Sequence, residues 1–486
     1  MTPDVVLLIA FGVFFVLLLA SAPVAFSLAA SGAVGILLLR SADQATAALG
    51  NTAFQAPSDY NLSVIPMYIL LGMLAVHGQL AARVFRLASI ALGRLPGGLG
   101  VATVAACAGF SAVSGSSLAT AASLGKLSVG EMRRYGYRPS FATGIVAAAG
   151  TLGVLIPPSV MLVMYAVIAE ESITRVLAAG IVPGLLSFVM VGIYVMLRAG
   201  NNIAVPQPGE LPAAVASAGG VLASRLKSRP RELVSAGAER TTHGDGSQPN
   251  PQIGAATDGA EADGSPVAMF RALAWITIIF AIILIGTFTG LFTIVESAAF
   301  GAFTALIMVF VEVGKRGGRT VLKRLYESVM DSAGTTSMAF GLMIGAAIFS
   351  VFLVMTRVPM RLSTWVASLD VPPLVVVVLI LVMLLPLGMF LDAFAIIIIV
   401  APLVHPIITQ LGFDGIWFAI LFTVMIEIGM ITPPVGMNAF VVSTATGVKL
   451  EDTFKGLLPF VLLQIVLVAI LVAVPEVVTW LPNRLE

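Results

Sequence analysis

Apolar runs of about twenty residues, the length that crosses a lipid core, recur along this chain and limit its fold more than any other feature. In hydrocarbon every main-chain N–H and C=O needs an internal partner, so such runs fold as helices packed into a bundle. The runs lie at 5–21, 22–40, 63–79, 139–170, 176–198, 269–290, 292–314, 330–356, 413–446 and 456–481, which predicts roughly ten spans. Two of them, 139–170 and 413–446, are too long for one simple crossing, and each carries Pro-Pro in its middle. The regions 97–127 and 373–411 are apolar but interrupted, and each of their arms falls well short of a full crossing. Such arms read as re-entrant helical hairpins that enter and leave by one side. With 58% of 486 residues apolar, 10% charged and a mean hydropathy of +1.03, a soluble enzyme, a disordered chain and a coiled coil are excluded.

Lys and Arg total 26 against 25 acids, so there is no basic field to bind nucleic acid. One cysteine and three scattered histidines offer no cysteine or histidine metal cluster. The run from Val5 to Ala20 has no basic stretch before it, the first Lys or Arg being Arg40, so it reads as a retained span. Residues 199–267 are rich in Pro, Gly, Ser and Ala and hold many of the chain's charged residues, the composition of a flexible linker. Basic residues set the orientation. Arg83, Arg86 and Arg94 precede the first hairpin, and Lys126, Arg133, Arg134 and Arg138 follow it, so it enters from the cytoplasm. Arg198, Arg225, Lys227, Arg229 and Arg231 put the linker inside, and Lys315, Arg316, Arg319, Lys323 and Arg324 mark another inner loop. Counting onward, the second hairpin enters from the outside, and both termini are periplasmic. Arg357 and Arg361 break the rule locally. The short basic segments 79–94 and 315–328 are amphipathic and read as interfacial arms.

The strongest organisational signal is self-similarity at one fixed offset, that from Pro96 to Pro372. At this offset Ala119 matches Ala395, Gly153 matches Gly429, and Pro157-Pro158 match Pro433-Pro434. Met161, Gly180 and Pro183 match Met437, Gly456 and Pro459, with no gap from 96 to 183. Each half then holds three spans, a hairpin, a Pro-Pro-broken span and a final span. Five crossings per half is an odd number, so the second half sits upside down relative to the first. The expected fold is an all-α polytopic membrane protein of two inverted-topology repeats, 1–198 and 268–486, joined by the 199–267 linker. Inverted repeats with broken helices are the architecture of secondary transporters, because opposed halves present one site to either side at similar energy.

The chemistry is expected where hairpin tips meet breaks. The first tip runs from Gly109 to Ser117 and is rich in Gly and Ser, which allow close backbone approach and supply small oxygen donors. Its partner is Gly150 to Ser159. Two prolines remove two amide donors in mid-span, and the orphaned carbonyls need protein, water or an ion. The second site pairs the tip from Gly388 to Ala393 with the break from Gly429 to Pro434, and Asn438 follows within two turns. Asp392 is an acid inside a re-entrant loop; it would ligate a cation, relay a proton or cap the arm that follows. Glu296 and Glu427 sit in apolar spans and raise the same question less clearly, while His77 and His405, near helix ends, read as structural.

The runs Gly109 to Ser117, Gly153 to Pro158, Asp392-Ala393-Phe394-Ala395 and Gly429-Met430-Ile431-Thr432-Pro433-Pro434-Val435-Gly436-Met437-Asn438 resemble the large membrane subunit of tripartite ATP-independent periplasmic (TRAP) transporters. The resemblance covers nearly all of the chain outside the linker. It implies import of an organic acid, a C4-dicarboxylate or a sialic-acid-like carboxylate, across a bacterial inner membrane, with Na⁺ as coupling ion and no other cofactor or metal. It implies an elevator fold, a small four-helix membrane subunit and a periplasmic substrate-binding protein as partners. One Na⁺ site would fall at Ser114, Gly115, Ser116 and Ser117 with Gly153 and Ile156. The other would fall at Asp392, Ala393, Gly429, Thr432 and Pro433. The substrate would lie between the tips, near Ser116, Ser117, Ser159 and Asn438.

A stand-alone sodium–dicarboxylate symporter of similar inverted design is the alternative, and it would need no binding protein. The chain reads as a carrier rather than an enzyme. An intramembrane aspartyl protease would have only Asp331 and Asp392 to use, outside any protease motif, and a pump would need a GxxxxGK[ST] loop that the sequence lacks.

Overall fold

A computed structural model of the chain describes residues 2–55, 58, 60–203, 266–358, 360–361, 364, 368 and 370–484. Among these residues the protein is helical, with a single β-bridge between Tyr137 and Ile203. The first half holds α1 (Pro3–Leu19), α2 (Val24–Leu39), α3 (Ala42–Gln55), α4 (Val64–His77) and α5 (Leu80–Leu92). It continues with α6 (Gly98–Ser114), α7 (Ser117–Arg134), α8 (Pro139–Gly150), α9 (Val160–Ile168) and α10 (Ile173–Asn202). The second half holds α11 (Pro266–Phe288), α12 (Ile294–Val313), α13 (Gly318–Met355), α14 (Pro373–Phe390) and α15 (Ala393–Gln410). It ends with α16 (Gly415–Met430), α17 (Met437–Thr446), α18 (Leu450–Ala473) and α19 (Glu476–Thr479). Of the segment expected to be a linker, 204–265 lies outside the described residues, and the flanking helices reach Asn202 and start at Pro266.

Seven of the described helices are long and apolar enough to cross a membrane, or eight if α4 and α5, bent by 65°, count as one. The shortfall from the expected ten has local causes. Helices α1 and α2 have 17 and 16 residues. Both Pro-Pro runs divide into half-helices, α8 with α9 and α16 with α17. The hairpin arms are longer than their apolar stretches suggest, at 17 or 18 residues each, because helix continues into polar turns such as Ser128–Arg134.

The basic segment 315–328 is not a separate arm. Most of it forms the first turns of α13, which runs unbroken for 38 residues with no proline to stop it. The 79–94 segment is separate, as α5, and the chain turns into it at Gln79, which has φ +61°. Helix α3 has no counterpart among the expected spans; its Asp43, Gln44, Asn51 and Gln55 give no span signal. Yet the offset of the repeat carries Ala42, where α3 starts, onto Gly318, where α13 starts. At the same shift α7 and α15 coincide at both ends, and α8 and α16 start together.

The broken helices form the centre. Every residue of α16 is buried, as are all those of α8 from Phe141 onward. The packing around them is reciprocal between halves: α7 lies against α17, and α15 lies against α9. Helix α8 also packs on α18 through glycine, since a Cβ on Gly144 would stand 2.5 Å from the Gly456 carbonyl oxygen. A second group of helices stands beside this core. There α2 runs along α13 and α4 along α12, and the Gly32 Cβ position is 2.8 Å from Phe349 Cα. Ion pairs join the arm to this group. Glu312 pairs with Arg83 of α5, lies 3.5 Å from Arg271 Nε and accepts from Trp275 Nε1 at 3.0 Å. His77 Nε2 is 2.8 Å from Asp331 Oδ2, and its Nδ1 is 3.5 Å from Glu327. The histidine that looks solitary in sequence thus ties α4 to α13.

The glycine contact between α8 and α18 leaves no room for a side chain. Gly456→Val is expected to destabilise the protein by about 1–3 kcal/mol, the usual cost of overpacking. Gly192→Val, with nothing within 4 Å of its Cβ position, is the control. Thermal unfolding midpoints in detergent check this, and equal midpoints for the two variants would refute it.

Candidate functional site at the hairpin tips

Helix α6 ends at Ser114, and Gly115 turns the chain with φ +62°, a conformation that favours glycine. Its N–H donates to the Ser111 carbonyl at 2.8 Å. Ser116 is extended and caps α7, its Oγ accepting from Ala119 N at 3.3 Å. Ser114 Oγ lies 3.1 Å from Thr120 Oγ1, which donates to the Ser116 carbonyl at 2.8 Å. Gly115 and Ser116 therefore suffice to reverse the chain between α6 and α7.

The break facing this tip starts where α8 stops at Gly150. A tight turn at Thr151–Val154 follows, and helix resumes at Val160, capped by Ser159, whose Oγ accepts from Leu162 N at 3.2 Å. Among the described residues no backbone amide donates to the carbonyls of Leu155, Ile156, Pro157 or Pro158. The tip sits directly on this stretch: a Cβ on Gly115 would be 2.9 Å from the Pro158 oxygen. One on Gly153 would be 2.7 Å from Ser111 Oγ and 3.2 Å from its Cα. The structure thus brings Ser114, Gly115, Gly153 and the Ile156–Pro158 stretch together. The Ser159 hydroxyl accepts this cap bond and keeps its own proton to donate.

The second tip repeats the plan with an acid. Asp392, the repeat counterpart of Ser116, caps α15, its Oδ1 accepting from Phe394 N at 2.8 Å and Ala395 N at 3.2 Å. Of the three roles open to it in sequence, capping is the one its contacts show. Helix α16 ends at Met430, and Thr432 Oγ1 donates back to the Ile428 carbonyl at 2.5 Å. Among the described residues the carbonyls of Thr432, Pro433, Pro434 and Val435 accept no backbone amide. Tip and break meet glycine to glycine: a Cβ on Gly429 would lie 2.6 Å from Gly388 Cα and 2.8 Å from the Leu385 oxygen. The two breaks differ in exposure. Pro157 and Pro158 are buried, whereas Pro433, Pro434 and Val435 are exposed.

One residue stands out that spacing alone marks weakly. Glu427, 4% exposed, accepts from Ser117 Oγ at 3.0 Å and from Asn438 Nδ2 at 3.4 Å. It joins the first hairpin to the broken helix of the other half, and it gathers two of the expected substrate residues on one carboxylate. The buried Asn438 Oδ1 has no hydrogen-bond partner. The available signal was a lone acid in an apolar run just before a break. Glu296 is different: it closes an exposed capping box with Thr293. His405 holds the C-terminal end of α15, with Tyr165 OH 3.2 Å from Nδ1 and Glu171 Oε1 3.4 Å from Nε2.

The assembled donors are hydroxyls, free main-chain carbonyls and carboxylates, an all-oxygen set that suits a hard cation or, through hydroxyl and amide groups, a carboxylate ligand. Comparison with known proteins agrees with a transport role. The C4-dicarboxylate TRAP transporter large permease protein DctM of Pseudomonas aeruginosa is 33% identical over 462 residues, covering 94% of each chain. The sialic acid TRAP transporter large permease protein SiaM of Vibrio cholerae is 27% identical over 472 residues, covering 96% of each. Among solved structures, the YdaH transporter of Alcanivorax borkumensis shares the fold, with a TM-score of 0.55 and 16% identity over 90% of this chain and 89% of that one. Residues 11–477 match the family described as the tripartite ATP-independent periplasmic transporter, DctM component, and the chain belongs to that family of multi-pass membrane permeases.

Proposed function

We propose that this permease imports an organic acid, of C4-dicarboxylate or sialic-acid type, by Na⁺-coupled elevator transport in a bacterial inner membrane. Membership of a tripartite family supports two partners, a small four-helix membrane subunit and a periplasmic binding protein that delivers the substrate. The substrate class follows the relatives, which are named for C4-dicarboxylate and for sialic acid. The observation that carries the reading is the pair of matched breaks, each with a hairpin tip seated on it, one covered and one open. Alternating access needs this kind of inequality in either of its end states.

Each break ends a helix whose last carbonyls carry partial negative charge, and four further carbonyls lie beyond it without amide donors. At the first break, where Pro157 and Pro158 are buried, such oxygens favour a cation. The first ion site then comprises Ser114, Gly115, Ser116 and Ser117 with Gly153 and Ile156, and the second comprises Asp392, Ala393, Gly429, Thr432 and Pro433. Asn438, with one amide oxygen and one amide nitrogen, serves the substrate side together with Ser116 and Ser117. Helices α6–α10 and α14–α18 form the moving body, and α1–α4 with α11–α13 form its frame. The two repeats are opposed in the membrane, with the 199–267 segment inside and the termini outside.

Two outcomes test this. Uptake by the complex in proteoliposomes is expected to fall to background when K⁺ replaces Na⁺ at equal ionic strength, and full uptake in K⁺ would reject Na⁺ coupling. Omitting the binding protein separates the tripartite importer from a stand-alone symporter in the same assay. Gly429→Leu is expected to abolish uptake while the protein still reaches the membrane, because Gly388 and Leu385 occupy the space a side chain would need. Normal transport by that variant would remove the second break from the site.

A further inference from the structure

The two hairpins carry different charge. At the second tip Asp392 provides an acid, whereas its counterpart in the first repeat is Ser116. Likewise Glu427 of the second half corresponds to Thr151 of the first. Both acids near the site therefore come from the second half, and the first hairpin has no carboxylate of its own at its tip. Glu427 fills that gap in space, because its Oε1 accepts from Ser117 Oγ at 3.0 Å.

Glu427 is 4% exposed, and its partners, Ser117 and Asn438, are neutral and also buried. Among the described residues no Lys, Arg or His stands within ion-pair distance of it. A buried carboxylate without a compensating positive charge is strongly unfavourable, and two neutral hydrogen bonds do not cancel its charge, so the group is held either by a proton or by a cation. A hydroxyl whose proton is committed to a carboxylate offers only lone pairs to its next neighbour, which is what a cation requires. Ser117 is such a hydroxyl, and it stands beside a glycine turn seated on the free Pro158 carbonyl.

We propose that Glu427 supplies the negative charge of the Na⁺ site at the first hairpin tip, acting from the opposite half of the chain through Ser117. This rests on the Na⁺-coupled reading above and extends it. Each hairpin is then served by one acid, Asp392 from within its own tip and Glu427 from across the interface. Ion binding at the first tip clamps that hairpin to the second broken helix, and on ion loss a proton takes the place of the cation on the carboxylate. Occupancy of one half is thereby transmitted to the other, and through Asn438 to the substrate side.

The test uses the full chain purified in detergent with its small subunit. Thermal unfolding midpoints are titrated with NaCl at constant ionic strength, balanced with choline chloride, and ²²Na⁺ binding is counted per chain. The wild type is expected to show a Na⁺-specific rise. Glu427→Gln keeps the shape of the side chain and removes its charge; the half-saturating Na⁺ concentration is expected to rise at least tenfold, and one bound ion is lost. Asp392→Asn is expected to lose its ion independently. A wild-type titration in Glu427→Gln would overturn the proposal while leaving Na⁺ coupling intact. Absence of any Na⁺-specific response in the wild type would overturn both. Should Glu427→Gln fold poorly, Glu427→Asp serves instead, since it keeps the charge and shortens its reach to Ser117: a raised half-saturating Na⁺ concentration supports the proposal, and an unchanged one refutes it.

Discussion

A main-chain carbonyl oxygen without an amide donor is the constraint on which this structure turns. Each Pro-Pro break leaves four such oxygens among the described residues, and a lipid interior would offer them nothing. The fold answers by burying the first break in the middle of the protein and laying a polar hairpin tip against each. Glycine makes that possible. Gly115 above the Pro158 oxygen and Gly388 against Gly429 are places where a methyl group would already collide with backbone.

Much of the remaining architecture follows from holding those tips in place. The hairpin of each half packs on the resumed helix of the other, α7 on α17 and α15 on α9, so neither half builds its site alone. Polar side chains reinforce the exchange. Ser187 and Gln464 hydrogen-bond across the halves at 2.9 Å, and Ser117 meets Glu427. The arm α5 is fixed differently, by the Arg83–Glu312 ion pair with Arg271 and Trp275 close by. Hydrogen bonds hold the polar centre, and charge holds the edge.

The hairpin and break positions were legible in the sequence because Gly and Pro act locally, and their constant separation between the halves survives wherever apolar residues vary freely. Asp392 was legible as an acid at a hairpin tip, and of the roles open to it the helix cap is the one its contacts show. Helix α3 was not legible, since a polar helix lying against α2 and α13 has neither the length nor the apolarity of a span. The continuity of α13 was hidden by a change from basic to apolar composition at mid-helix, which hydropathy divides and the backbone does not. The junction of Ser117, Glu427 and Asn438 could not be read from spacing, because it joins positions far apart in the chain through reciprocal packing.

The 38 residues of α13 have a consequence for the surrounding lipid. At about 1.5 Å per residue this rod measures about 57 Å, beyond the roughly 40–45 Å of a bilayer with its headgroups. It must lean or project. The equivalent stretch of the first half is instead divided between the two helices α3 and α4. Bilayer thickness therefore acts on α13 as tilt of one stiff strut, a demand that the shorter pair α3 and α4 does not face as a single rod.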